Sequence, residues 1–393
     1  MAVRRYSWQQ QKLASGGAHG KHSHVYYFDH AATHPMMDVA KAAWLEGVER
    51  FGGNPSSLHR VGARADRALE GCRERLAGFL GCSPGEIIFT SGATESDNLL
   101  VYHLSRVVEG EVWVSAVEHP AVLQALRRWF EGRYQFIPVG GDGVVDPGWV
   151  EERFRGGLPG AIILMAANNE TGVLQPWLEV AGLCRARGVL FGCDAAQWVG
   201  KLAVEGLGAC DFVAGCGHKF GGGTGVGFLK GPLGMVPLIV GGPQEDRRRG
   251  GTENLPGVMG LVAALEARER EIGAGAVERM EVVRDRFISG VLAGLPGSRL
   301  IGAGVGRLWN TVSLQLPERR DGRRWVVALD REGFAVSSGS ACSSGQGKAS
   351  HVLAAMGLGE CEADRVIRIS SGWESPEESW DSLLRVLLAA ELA

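Results

Sequence analysis

Lys219 and Asp194 are the two side chains in this 393-residue chain whose types most directly suggest chemistry. A lysine amine can join a cofactor aldehyde as a Schiff base. A carboxylate can hold a pyridine nitrogen protonated, so that the ring draws electrons from a substrate carbanion. A pyridoxal phosphate ring lying between the two residues would use both at once. The pair by itself leaves a second reading open, because Asp and Lys at strand ends are also ordinary structural residues. The elements that must position them are three apolar runs in succession, each ending in polar residues. AIILMA leads to Asn168-Asn169-Glu170, GVLFGC to Asp194-Ala195-Ala196-Gln197, and ACDFVAGCG to His218-Lys219. In an open α/β sheet, ligands bind at the carboxyl ends of the strands.

Seven short runs surround these residues: SGATESDN (Ser91 to Asn98), EHPAVL (Glu118 to Leu123), NNETG (Asn168 to Gly172), DAAQ, GHK, GGTEN (Gly250 to Asn254) and SSGSAC (Ser337 to Cys342). In this order they resemble the pyridoxal-phosphate-dependent cysteine desulfurases of the class V aminotransferase superfamily, over about Tyr27 to Gly372. The resemblance implies an α/β fold of the aspartate aminotransferase type I: a large domain with a mainly parallel seven-stranded sheet, plus a small α+β domain. It also implies pyridoxal 5'-phosphate as cofactor, L-cysteine as substrate and L-alanine as product. Sulfur would leave as a persulfide on Cys342, bound for acceptor proteins such as an iron–sulfur scaffold or another sulfur carrier. A homodimer is implied in the same way.

Composition bounds the alternatives. A chain of 393 residues exceeds one compact core, so two domains are expected. The divisions read as a polar extension over 1–25, a large cofactor-binding domain over 26–260, and a small domain over 261–393 that carries the Cys342 loop. A net charge of −3 gives no reason to expect nucleic acid or an anionic membrane as partner. No apolar stretch of about 20 residues suggests a membrane span, and no apolar stretch follows Arg4 and Arg5 as a secretory signal would require, so a cytoplasmic location is expected. The eight cysteines contain no CxxC pair, and neither a zinc site nor a disulfide scaffold is expected. The extension holds His19, His22 and His24 with Lys21; it has no carboxylate or cysteine to complete a metal site and is assigned no function.

Strand and helix signals alternate through the first part of the chain, which argues for βαβ units and a mainly parallel sheet. The run Glu86 to Thr90 reads as a strand, and SGATESDN turns from it straight into a helix. Free amides at that helix start, with Ala93 and Thr94, suit a phosphate dianion; Thr94 as a mere helix cap is the other reading. His119 ends the next strand, where it can stack on a cofactor ring or simply be a satisfied polar group, and the resemblance implies stacking. Asn169 can donate to the cofactor's phenolic oxygen and face substrate, and Gln197 can donate to that oxygen from the neighbouring strand end.

His218 is implied to bind the phosphate together with the residue two positions earlier. That residue is Cys216 here, where the family has serine; a thiol donates hydrogen bonds poorly, so either the grip is weaker or Thr94 and the backbone compensate. His30 and His34 also depart from the family pattern of Asn and Thr. The basic run Arg247 to Arg249 reads as a solvated turn, whereas the resemblance implies a loop that crosses a dimer interface and brings Thr252 to the partner's phosphate. One long amphipathic helix is expected from Leu261 through Leu295, followed by strands at Asn310 to Leu316, Gly333 to Ser338 and Arg365 to Ser370. Cys342, among small polar residues, reads as an exposed nucleophile on a loop long enough to swing. Arg368 can grip an α-carboxylate with two prongs. Two rivals remain open: a selenocysteine lyase, and a catalytically silent scaffold for sulfur-transfer partners.

Overall fold

The computed structural model describes residues 25–318, 324–339 and 350–390. Cys342 and nearly all of the polar extension lie outside them. A seven-stranded sheet dominates, in the spatial order Ile87–Thr90, Gly227–Lys230, Phe212–Cys216, Leu190–Asp194, Ala161–Ile163, Val112–Ser115 and Tyr134–Ile137. All strands run parallel except Gly227–Lys230, which is antiparallel to both of its neighbours. The expected mainly parallel sheet is therefore present.

The apolar runs form continuous rather than alternating strands because both faces of the sheet are covered. Ile162, Phe191, Cys193, Val213 and Phe228 point into one apolar layer, and Ile163, Phe212, Ala214 and Leu229 into the other. Helices Arg60–Leu80, Trp177–Arg185 and Leu255–Gly273 cover the first layer, while Ala93–Val107 and Pro120–Trp129 cover the second. Helix ends follow local chemistry. His59 accepts the Gly62 N–H at the start of Arg60–Leu80, and Gly81 closes that helix in the left-handed region at φ 71°.

A smaller antiparallel sheet orders Ser337–Ser338, Val366–Ser370, Thr311–Gln315 and Arg299–Leu300. Its core gathers Val312, Leu314, Ile367 and Ile369 with Phe287, Val291, Trp380 and Leu383, and Phe28 enters it from the N-terminal segment.

Two sequence expectations are corrected. The single helix over Leu261 to Leu295 is two, Leu255–Gly273 and Ala276–Gly294, broken where Gly275 adopts φ 71°. Residue 260 falls inside the first of them. Leu261, Val262 and Leu265 pack into the large core, and Phe287, Ile288 and Val291 into the small one; an apolar stripe that changes partners keeps its period, so the break is invisible to periodicity. The strand over Gly333 to Ser338 is likewise two short pieces: Phe334–Ala335 pairs in parallel with Tyr26–Tyr27, and Ser337–Ser338 joins the small sheet.

The basic run also differs from a solvated turn. Arg248 is buried and donates to the carbonyls of Gly85, Ile87 and Glu245. Glu245, Asp246 and Arg247 all have positive φ, at 48°, 54° and 66°, a strained geometry for residues with side chains. A buried ion pair holds it: the Glu245 carboxylate accepts from Arg73 Nη1 and Nη2 at 2.7 and 3.0 Å and from Phe89 N at 3.1 Å. Glu245→Gln leaves the Arg73 guanidinium buried without its charge partner and is expected to lower the unfolding free energy by about 3 kcal/mol. An unchanged denaturant midpoint would show that the pair does not hold this loop.

Candidate active site

Asp194 ends its strand, and its Oδ1 accepts the N–H of Ala196 at 2.9 Å. Lys219 lies in the one-turn 3-10 helix Gly217–Lys219 after the adjacent strand, and its Nζ donates to the carbonyls of Ala31 and Ala32 at 2.7 and 2.8 Å. His119 caps helix Pro120–Trp129, with Nδ1 accepting the Ala121 N–H at 3.1 Å. A backbone N–H can only donate, so the ring proton sits on Nε2. His119 feels the charges of both Asp194 and Lys219, while its burial pulls its pKa below the usual histidine value.

Three carboxyls converge behind these residues: Asp97, Glu118 and Asp194, all buried. Burial, with Asp194 and Glu118 adding like charge, pushes the Asp97 carboxyl well above the usual range. Burial likewise raises Glu118 to about 8, although its Oε1 accepts from Ser115 Oγ and Met165 N, each at 2.7 Å. Asp194 is raised by burial too, but His119, the Ala196 amide and Lys219 all oppose the rise. Environments that push neighbouring carboxyls apart assign their roles. Burial disfavours the charged form of all three, and Asp194 is the member whose neighbours His119, Ala196 and Lys219 pull back toward the charged form.

Because the folded value for Glu118, about 8, lies above its ordinary 4.5, the folded protein keeps a proton that the unfolded chain releases. The stability from that proton is complete below about pH 4.5 and is lost progressively up to about pH 8. Glu118→Gln mimics the protonated form at every pH. It is expected to be more stable than the parent at pH 8 by roughly 3 kcal/mol and to flatten this part of the stability–pH curve. Parallel curves for the two proteins would contradict it.

At the opposite end, helix Ala93–Val107 starts from Gly92, which has φ 153° and provides no side-chain cap. Only glycine adopts that conformation readily, and a Cβ there would meet nothing within 4 Å. Thr94 is the second helical residue rather than the cap, so the capping reading of its hydroxyl falls. The Ala93 N–H points to Cys216 Sγ, and burial raises that thiol to about 11. His218, lowered to about 4 by burial and then by Lys219, faces Thr33 Oγ1 at 3.3 Å. Thr252 is exposed on the single chain. Its loop is tied to the helix start by Arg249, whose Nε and Nη2 donate to Glu95 at 2.7 and 3.1 Å.

On the small-domain side, Arg368 is 2 % exposed. Its Nη2 donates to Asp29 Oδ1 at 2.7 Å and its Nη1 to the Asn169 carbonyl at 2.8 Å. Its Nε is buried with no hydrogen-bond partner among the described residues. Asn169 thus reaches Arg368 through its main chain. Gln197 donates from Nε2 to the Ala31 carbonyl at 2.9 Å and accepts at Oε1 from Lys201 Nζ.

Sequence reasoning passed over Asp29, Asp97, Glu118 and Lys201. Asp97 and Glu118 stood inside quoted runs, and Lys201 followed DAAQ at close range; their polar types were visible, but their burial was not. The helix start at Ala93 and Thr94, the orphaned Arg368 Nε and the buried Asp194 carboxyl near Lys219 fit the phosphate, the carboxylate-bearing substrate and the ring nitrogen that pyridoxal phosphate chemistry requires.

The chain matches the model of the family described as Aminotransferase class-V over residues 26–383. An IscS-like cysteine desulfurase of Mycobacterium tuberculosis is 36% identical over 379 residues, covering 93% of this chain and 95% of the relative. A NifS-like protein from Rickettsia africae, solved by X-ray, superposes with a TM-score of 0.83 at 28% identity, covering 94% of this chain and 100% of that one. SspA, solved in complex with cysteine, superposes at 0.74 and 29% identity, covering 88% and 98%.

Proposed function

Because the chain belongs to the class-V aminotransferase family and is a pyridoxal-phosphate-dependent cysteine desulfurase, we propose that it moves sulfur from L-cysteine onto Cys342 and from there to acceptor proteins. When bound, pyridoxal phosphate supplies an aldehyde for amines and an electron-withdrawing ring. Lys219 is the amine that holds the cofactor. Its Nζ, held between the Ala31 and Ala32 carbonyls, would also move protons at the substrate α-carbon. Asp194 would keep the ring nitrogen protonated, and the placement of its buried carboxyl at a strand end near both His119 and Lys219 is the observation that carries this reading. His119, with its proton on Nε2, would stack on the ring. Ala93, Thr94, Cys216 and His218 hold the phosphate, Thr252 does so across a homodimer interface, and Asn169 and Gln197 face the phenolic oxygen.

The substrate carboxylate docks on Arg368, whose unpartnered Nε supplies a donor beyond those spent on Asp29 and Asn169. Cys342 attacks the substrate sulfur, so that a sulfur–sulfur bond forms as the carbon–sulfur bond breaks. The electron pair left on carbon takes a proton, giving L-alanine and a Cys342 persulfide. The solved complex of SspA with cysteine and the IscS-like names of relatives support cysteine as substrate and iron–sulfur assembly as a destination for the sulfur. Among the described residues no helix is long and apolar enough to cross a membrane.

Purified protein given pyridoxal phosphate, L-cysteine and a thiol reductant is expected to yield alanine and sulfide in equal amounts; absence of alanine would sink the reading. Arg368→Lys keeps the charge but loses the fork. It is expected to raise KM for L-cysteine by about 100-fold with a smaller change in kcat. A kcat loss at unchanged KM would place Arg368 elsewhere in the reaction.

A further inference from the structure

Lys201 is a buried amine for which the chemistry above has no use. It is 2 % exposed, and among the described residues no carboxylate pairs with it. Its main chain is fixed on both sides: its N–H donates to the Trp198 carbonyl at 3.0 Å, and its own carbonyl accepts Trp309 Nε1 at 2.8 Å. Gly200 before it sits at φ 70°, where a Cβ would strike Phe220 at 2.4 Å. The turn therefore has little room to move, and the side chain is sent inward by design of the backbone. Burial, and then the like charges of Lys219 and Arg368, drive its pKa well below the usual lysine value.

That amine donates to Gln197 Oε1, while Gln197 Nε2 donates to the Ala31 carbonyl at 2.9 Å. The same Ala31 carbonyl accepts Lys219 Nζ at 2.7 Å. An amide has one acceptor end and one donor end, and turning it over would set Oε1 against the Ala31 carbonyl and take away the acceptor to which Lys201 Nζ donates. Lys201 on one side and Ala31 on the other thus allow a single orientation. One of the two N–H bonds of Nε2 stays unspent.

We propose that Lys201 is a positioning residue, which holds the Gln197 amide so that its unspent N–H, and not its oxygen, is presented to the phenolic oxygen of the cofactor. This rests on the reading that Gln197 faces that oxygen. A donor there draws charge from the phenolic oxygen and so lowers the proton affinity of the Schiff-base nitrogen beside it.

The test is the pH titration of the visible band of the cofactor-loaded protein without substrate, together with cofactor affinity by fluorescence. Lys201→Met, close in shape and apolar, is expected to shift the titration midpoint upward by about one pH unit. Gln197→Leu is expected to shift it in the same direction, and the double variant no further than Gln197→Leu alone. Lys201→Gln, which keeps a donor, is expected to return the midpoint toward the parent value. Lys201→Leu carries the same comparison should the methionine variant fail to fold, and melting of each apoprotein separates loss of fold from loss of position. A parental midpoint in Lys201→Met alongside a shifted Gln197→Leu overturns the proposal and leaves the Gln197 reading standing. Additive shifts in the double variant overturn it as well, because Lys201 would then act independently of Gln197. An unshifted Gln197→Leu removes the contact between Gln197 and the cofactor, and the proposal with it.

Discussion

Lys219→Ala is expected to lower turnover of L-cysteine by at least ~10⁴-fold and to leave added pyridoxal phosphate without the yellow band of a protein Schiff base. The size of the effect follows from two roles in one atom. In the proposed reading Nζ would anchor the cofactor and would also carry protons at the substrate α-carbon. The two carbonyls that hold it, Ala31 and Ala32, cannot take over either task, because they have no proton to give. Lys201 cannot replace it, since its amine is spent on Gln197. Recording the visible spectrum in the absence of any other amine, and then reducing with borohydride and locating the label by mass spectrometry, checks both roles. A band that survives the replacement, or a label on another lysine, would move the reaction away from this site.

Cys342→Ser is expected to retain the cofactor and its spectrum but to form alanine at least ~10³-fold more slowly, with no protein-bound sulfur after incubation with L-cysteine. A thiolate attacks sulfur readily and a hydroxyl does not; serine is close in size, so the loss reports chemistry and not packing. The decisive measurement is intact mass after a short exposure to substrate: the parent gains one sulfur atom that a reductant removes, and the variant gains none. Alanine formation at the parental rate by Cys342→Ser would mean that the substrate sulfur leaves without that cysteine.

Much of this was legible along the chain. The Lys219 amine, the Asp194 carboxylate, the His119 imidazole and the Arg368 guanidinium all stand in short runs at the ends of apolar segments. Such runs read as strands because a parallel sheet buries both faces, as with Ile162 and Ile163 in opposite layers. Gly227–Lys230 escaped notice because four residues, all buried and starting with a glycine, have no period to detect. The helix break at Gly275 and the splitting of Gly333 to Ser338 were hidden for a related reason. Hydrophobicity says that a residue is covered, and does not say by which neighbour.

Chain order alone determined which reactive groups this protein owns, since the chemistry of an amine, a carboxylate or a thiol belongs to the side chain and the order of the runs belongs to the family. Tertiary structure alone decided their states of charge and their aim. Asp97, Glu118 and Asp194 are all carboxyls in the sequence, and only their surroundings separate them: burial raises all three, while His119 and Lys219 oppose the rise at Asp194. Asp29 meets Arg368, and Ala31 meets Gln197, through the tertiary fold. Proton affinity and amide orientation depend on surroundings in space, and those surroundings come from segments that lie far apart in sequence.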